Sequence, residues 1–150
     1  MNTIHISVSE QRLELRTAAG EVLFTALCST GAAGTGSEPG SGRTPLGRFC
    51  IHSMHGGNAP LATVYRGRLP VGVHPAASQG EDAILARILT LRGLEPHNAN
   101  TLSRFIYIHG TADIDHLGKP VSHGCIRLAP HDAAALFDQV TLDTPVFIQG

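Results

Sequence analysis

At 150 residues and 42% hydrophobic composition, the chain reads as a single domain spanning 1–150, large enough to bury a core without staples. Only 15% of residues are charged, the net charge is −1 and the pI is about 6.7, so there is no basic field for nucleic acid or an anionic membrane. Seventeen glycines and nine prolines favour many short strands over long helices.

Ile4, Ile6 and Val8 alternate with polar residues, and Leu13 and Leu15 repeat the pattern after Glu10 and Gln11, which predicts a β-hairpin. The opening has no basic region followed by a long apolar stretch, and no run approaches the ~18 apolar residues of a membrane span. A turn at Ala18-Ala19-Gly20 leads into Val22–Leu27, the third strand of a meander. Residues 30–47 form a Gly-rich loop. As a phosphate cradle it lacks the GK[ST] ending, and no clear helix follows it. Within it, Arg43-Thr44-Pro45 is either an exposed turn or the lining of a cleft. Phe49–Ile51 predicts a strand, and residues 53–80 predict an irregular stretch with short apolar pieces at Val64-Tyr65 and Val71–Val73. Ile84, Leu85, Ile88 and Leu89 form a stripe at helical spacing, with acidic residues before it and Gly93 after it. This predicts a helix over Glu81–Arg92. Phe105–Ile108 predicts a buried strand running into His109, and Ile126–Leu128 a short strand. Pro130–Val140 predicts a helix with Pro and Asp in its first turn, and Pro145–Ile148 a last strand.

The three cysteines are Cys28, Cys50 and Cys125. Their spacings of 22 and 75 residues fit neither a zinc ribbon nor a CxxC redox pair. Cys28 and Cys50 sit in apolar strand contexts and read as buried structural thiols. Cys125 differs, because it lies in the string Ser122-His123-Gly124-Cys125, sixteen residues after His109. A thiol attacks only as its thiolate, so a neighbouring base has to take its proton. His109, held at the end of a buried strand, is the better base; His123 is only two residues away and need not meet the sulfur. Gly124 carries no side chain, so its N–H and that of Cys125 are available to an oxyanion. The chemical rival is zinc, for which His109, His116, His123, Cys125 and His131 are ligand types close in sequence. His116 and His131 read as exposed, and His52, His55, His74 and His97 receive no role.

The segment Ile108-His109-Gly110-Thr111 followed by Ser122-His123-Gly124-Cys125-Ile126-Arg127-Leu128 resembles the L,D-transpeptidase catalytic domain, the YkuD family. Ile6–Leu15, Ser29-Thr30-Gly31, Arg43–Phe49 and Thr144–Ile148 sit where that family has comparable pieces. The resemblance implies a mainly β, sandwich-like fold with one or two helices. It implies acyl transfer on peptidoglycan stem peptides, with no cofactor and no metal. By that resemblance Cys125 is the nucleophile, His109 the general base and later acid, and the Gly110 carbonyl the group that orients the imidazole. Ser122, His123 and Gly124 would shape the site and its oxyanion hole, and Arg127 and Arg43 would meet a substrate carboxylate. The resemblance leaves Tyr107 without a role.

The implied product is a cross-link between two diamino acids, or a stem whose terminal D-amino acid is exchanged or removed. The alternatives are an L,D-carboxypeptidase, a hydrolase of a lipoprotein–peptidoglycan link, and a non-catalytic wall- or zinc-binding module. Carbapenem-type β-lactams are expected inhibitors. The implied location is the periplasm or cell envelope. The absence of a recognisable signal leaves a cytoplasmic location or delivery by a secretion system as further expectations.

Overall fold

A computed structural model describes residues 1–73 and 83–150. The meander appears as expected: β1 (Thr3–Ser7), β2 (Arg12–Arg16) and β3 (Val22–Leu27) pair antiparallel in sequence order. Ile4, Ile6, Leu13 and Leu15 turn their alternate faces into the core. Further along the chain come β4 (Gly47–His55), β5 (Thr63–Arg66), β6 (Leu69–Val73), β7 (Ile84–Gly93) and β8 (Tyr107–Thr111). Then follow β9 (Ile126–Leu128), the helix α1 (Pro130–Phe137) and β10 (Pro145–Gln149). The last strand inserts between β1 and β4, parallel to the first and antiparallel to the second.

The sheet therefore runs β3-β2-β1-β10-β4-β7-β8-β9, and the β5–β6 hairpin continues along the β4 side of β7. It then curls until its ends meet. The Ser29 N–H donates to the Arg127 carbonyl at 3.0 Å, and the Arg127 N–H donates back at 2.9 Å. Ile4, Leu13, Phe49, Leu91, Ile108, Ile126, Leu136 and Val146 belong to the core cluster enclosed by this curl.

Four sequence expectations change. The helix expected over Glu81–Arg92 is instead the central strand β7 from Ile84 onward; Glu81 and Asp82 lie outside the described residues. Seven consecutive residues of β7, Leu85 to Leu91, are buried, because it has neighbours on both edges and is covered on both faces. A continuous apolar run of this kind has no period that separates helix from strand. Second, the stretch 53–80 expected to be irregular contains the end of β4 and all of β5 and β6; its residues 74–80 lie outside the described residues. Third, the strand expected at Phe105–Ile108 begins at Tyr107 and extends to Thr111, so His109 lies inside it rather than after it. Phe105 has φ +58°, a left-handed conformation outside any strand. The late helix starts where expected, at Pro130, but ends at Phe137 rather than Val140.

Candidate active site

Strand β8 and the turn before β9 assemble the site. In β8, residues two apart share a face, so Tyr107 and His109 lie together. The parallel register Ile108↔Ile126 and His109↔Arg127 brings Cys125, one residue before β9, to the Tyr107 end of that strand. The Tyr107 N–H donates to Cys125 Sγ at 3.3 Å, and Sγ–H donates to the Phe105 carbonyl at 3.2 Å. The left-handed Phe105 thus turns its carbonyl toward the thiol. Cys125 packs against a small buried cluster of Tyr65, Ile88 and Tyr107.

His109 is buried, 3% exposed, and its Nδ1 lies 2.7 Å from the Gly110 carbonyl. A carbonyl only accepts, so Nδ1 carries the proton and Nε2 holds the basic lone pair. That is the tautomer a general base needs. Gly110 is required here by close approach. A Cβ at this position would stand 2.6 Å from the Leu85 carbonyl oxygen.

The Ser122–Cys125 turn is folded by its own serine. Ser122 Oγ donates to the Cys125 carbonyl at 2.6 Å and accepts the Gly124 N–H at 3.1 Å. Gly124 has φ +121°, which a residue with a side chain rarely adopts. Because its amide already serves the turn, it reaches an oxyanion only by exchanging that bond. The turn is pinned from outside by Thr44, which is fully buried. Thr44 Oγ1 accepts the Gly31 N–H at 2.8 Å and donates to the Gly124 carbonyl at 2.9 Å. The Ser122 N–H also donates to the Thr30 carbonyl and the Ala32 N–H to the Ser122 carbonyl, both at 2.9 Å. The Gly-rich loop is thus a cradle for the Ser122–Cys125 turn.

The remaining sequence-derived residues separate by exposure. His123 is exposed and lines a hollow of about 540 Å³ with Gly40, Gly42, Arg104, Phe105 and Ile106. A second hollow of about 420 Å³, lined by Arg68, Leu102 and Tyr107, also borders Phe105. Arg43 is exposed, and its carbonyl accepts from Arg104 Nη2 at 2.8 Å. Arg127 is buried, with Asp113 Oδ2 3.9 Å from its Nη1; the same carboxylate meets His116 Nδ1 at 2.7 Å. Cys28 and Cys50 are buried thiols, and burial pushes the Cys28 thiol up to about 12. Among the described residues, no group of three His, Cys, Asp or Glu side chains is placed to hold a metal ion, and no helix is long and apolar enough to cross a membrane.

Two site residues carry more than the sequence reading gave them. Tyr107 lies against Cys125: burial raises its phenol, Arg68 opposes that, and the Cys125 charge raises it further. Its spacing of two from His109 on a strand was the available signal. Thr44 had no such signal, because its partners are 13 and 80 residues away.

A family model described as YkuD, L,D-transpeptidase catalytic domain, matches residues 1–148. Solved structures agree. An L,D-transpeptidase from Mycobacterium smegmatis is 19% identical with a TM-score of 0.64, covering 99% of this chain and 58% of that one. The LD transpeptidase LdtMt1 in complex with imipenem is 27% identical with a TM-score of 0.61, again covering 99% and 58%. L,D-transpeptidase 3 from Mycobacterium tuberculosis, in complex with a faropenem-derived adduct, is 20% identical with a TM-score of 0.64, covering 99% and 60%. The chain thus spans 58–60% of the length of these solved chains. No curated protein sequence matches it.

Proposed function

This chain belongs to the L,D-transpeptidase catalytic-domain family, and on that premise we propose that it is a cysteine acyltransferase acting on peptidoglycan tetrapeptide stems. His109 Nε2 takes the thiol proton. The Cys125 thiolate attacks the carbonyl of the diamino acid at stem position three, forming a C–S bond. The tetrahedral oxyanion collapses, the C–N bond to the terminal D-amino acid breaks, and His109 returns the proton to the leaving amine. The resulting thioester is opened by the side-chain amine of a second stem, giving a cross-link, or by water, giving a shortened stem.

The observation that carries this reading is the setting of the thiol against the strand that carries the imidazole. Cys125 Sγ is hydrogen-bonded to the backbone at Phe105 and Tyr107, and His109 is fixed in its basic tautomer by the Gly110 carbonyl. The Tyr107 N–H is also a donor for the thiolate that forms. Of the two arginines, exposed Arg43 is better placed than buried Arg127 to meet a substrate carboxylate. The imipenem and faropenem complexes of the structural relatives support β-lactam acylation of Cys125, through the ring carbonyl. The substrate puts the site of action at the cell envelope.

The test is mass spectrometry of purified disaccharide-tetrapeptide after incubation with wild type and with Cys125→Ala. Released D-alanine from wild type alone supports the reading, and a cross-linked dimer beside it marks an amine as acceptor whereas a shortened stem marks water. Equal turnover by Cys125→Ala would remove the thioester mechanism.

A further inference from the structure

Strand β7 breaks its ladder with β8 opposite the catalytic base. Leu85 pairs with Gly110 and Ile88 with His109, so Ala86 and Arg87 form a bulge facing the junction of those two residues. Ala86 is fully buried and left-handed, with φ +69°. A residue with a Cβ holds that conformation only where its surroundings enforce it. Here the enforcement is visible. The Ala86 carbonyl accepts two hydrogen bonds, from the Tyr65 hydroxyl at 3.0 Å and from Arg87 Nη1 at 2.7 Å.

Both donors are buried, Tyr65 at 3% exposure and Arg87 at 9%. Burying a guanidinium is costly unless hydrogen bonds or a partner offset the lost water. Among the described residues its hydrogen-bond partners are carbonyls, Ala86 and, at 2.9 Å, Ala59; its Nε has none. Its guanidinium lies 5.8 Å from the centre of the Phe137 ring at the end of α1. The bulge in turn presses on Gly110. The position of a Gly110 Cβ lies 2.6 Å from the Leu85 carbonyl oxygen and 3.2 Å from the Ala86 Cβ, so Gly110 and the bulge interlock. The Gly110 carbonyl is the group that holds His109 Nδ1.

We propose that Tyr65 and Arg87 are positioning residues for the thiol–imidazole pair: by clamping the Ala86 carbonyl they fix the bulge that seats Gly110, and so the orientation of His109. The inference rests on the role of His109 as the base for Cys125. Without the clamp, Ala86 relaxes toward an ordinary backbone conformation, the bulge shifts, and the Gly110 carbonyl leaves the imidazole.

The experiment is the pH dependence of iodoacetamide alkylation of Cys125 in the folded protein, with the labelled peptide located by mass spectrometry. The proteins are wild type, Tyr65→Phe, Arg87→Met, Arg87→Lys, the Tyr65→Phe/Arg87→Met double variant and His109→Ala. Each single removal is expected to slow alkylation at neutral pH by about 3- to 10-fold, the scale of one hydrogen bond, and to move the midpoint upward. The double variant should lose more than either. Arg87→Lys should recover most of the rate, because an ammonium still donates to the Ala86 carbonyl. Tyr65→Phe removes one oxygen and keeps the packing, so it decides the question if Arg87→Met does not fold. Variants that melt earlier but keep the wild-type pH profile overturn the inference, leaving the clamp purely structural. If His109→Ala also keeps the wild-type profile, the base assignment itself fails; if it departs while the clamp variants do not, only the clamp fails.

Discussion

Thr44→Val is the sharpest test of how the Gly-rich loop serves the site. The two side chains have nearly the same shape, so the substitution opens no cavity. It removes one hydroxyl, which accepts from Gly31 N–H at 2.8 Å and donates to the Gly124 carbonyl at 2.9 Å. Thr44 is fully buried, so water does not readily replace it. Two buried backbone groups lose their partner, at about 1–3 kcal/mol each. Allowing for relaxation, a loss near 3 kcal/mol lowers the melting temperature by about 6–12 °C in a domain of this size. The Gly124 carbonyl belongs to the peptide that carries the Cys125 amide. Releasing it shifts the nucleophile, and misplacements near 1 Å cost about 100-fold in rate. The expected result is a 10- to 100-fold slower acylation of Cys125 by imipenem, followed by intact mass, beside the lower melting temperature. Thr44→Ser keeps the hydroxyl and should restore most of both. A Thr44→Val protein with wild-type melting and acylation would refute the role of the loop as a cradle.

His109→Ala should slow acylation by about 10²–10⁴, and an unchanged pH–rate profile in that variant would take His109 out of the mechanism. Burial keeps Cys28 protonated in the fold up to about pH 12, against an ordinary thiol value of 9.0, so the unfolded chain loses that proton first. Its contribution to stability is complete below pH 9 and is lost as pH rises toward 12, at up to about 1.4 kcal/mol per pH unit. Thermal melts of Cys28→Ala should fall less steeply over that range than wild type; parallel curves would contradict the assignment. Asn98 is fully buried and bonds the Leu46 and Arg48 carbonyls and the Glu95 N–H. Asn98→Ala should cost about 2–4 kcal/mol in urea unfolding, and a loss below 1 kcal/mol would show that water replaces those bonds.

The local parts of the fold were legible. The β1–β2–β3 meander followed from alternation, the start of α1 from Pro130, and the buried state of Cys28 and Cys50 from their apolar neighbours. The candidate site was legible in part as residue types: Cys125 and His109 stood out, the Gly110 carbonyl came from the family resemblance, and His109 and that carbonyl are in contact in the structure. What failed has a physical cause. In β7, Ile84, Leu85, Ile88 and Leu89 mimic a helical stripe because a buried central strand is apolar on both faces and because the bulge at Ala86 and Arg87 resets its register. The long-range partners of Thr44 come from the closing of the sheet, and the contact of Tyr65 with Ala86 from the pairing of β5 with β7, neither of which a short window of sequence contains.

The seam where the sheet closes on itself also bears on how the Cys125 turn comes to be seated. Ser29 meets Arg127, and Ile4 meets Val146, so the two ends of the chain have to find each other before the nucleophile turn has anything to rest on. Contacts this distant in sequence form slowly and late. The seating of Cys125 is therefore tied to closure of the whole sheet rather than to any one local segment of the chain.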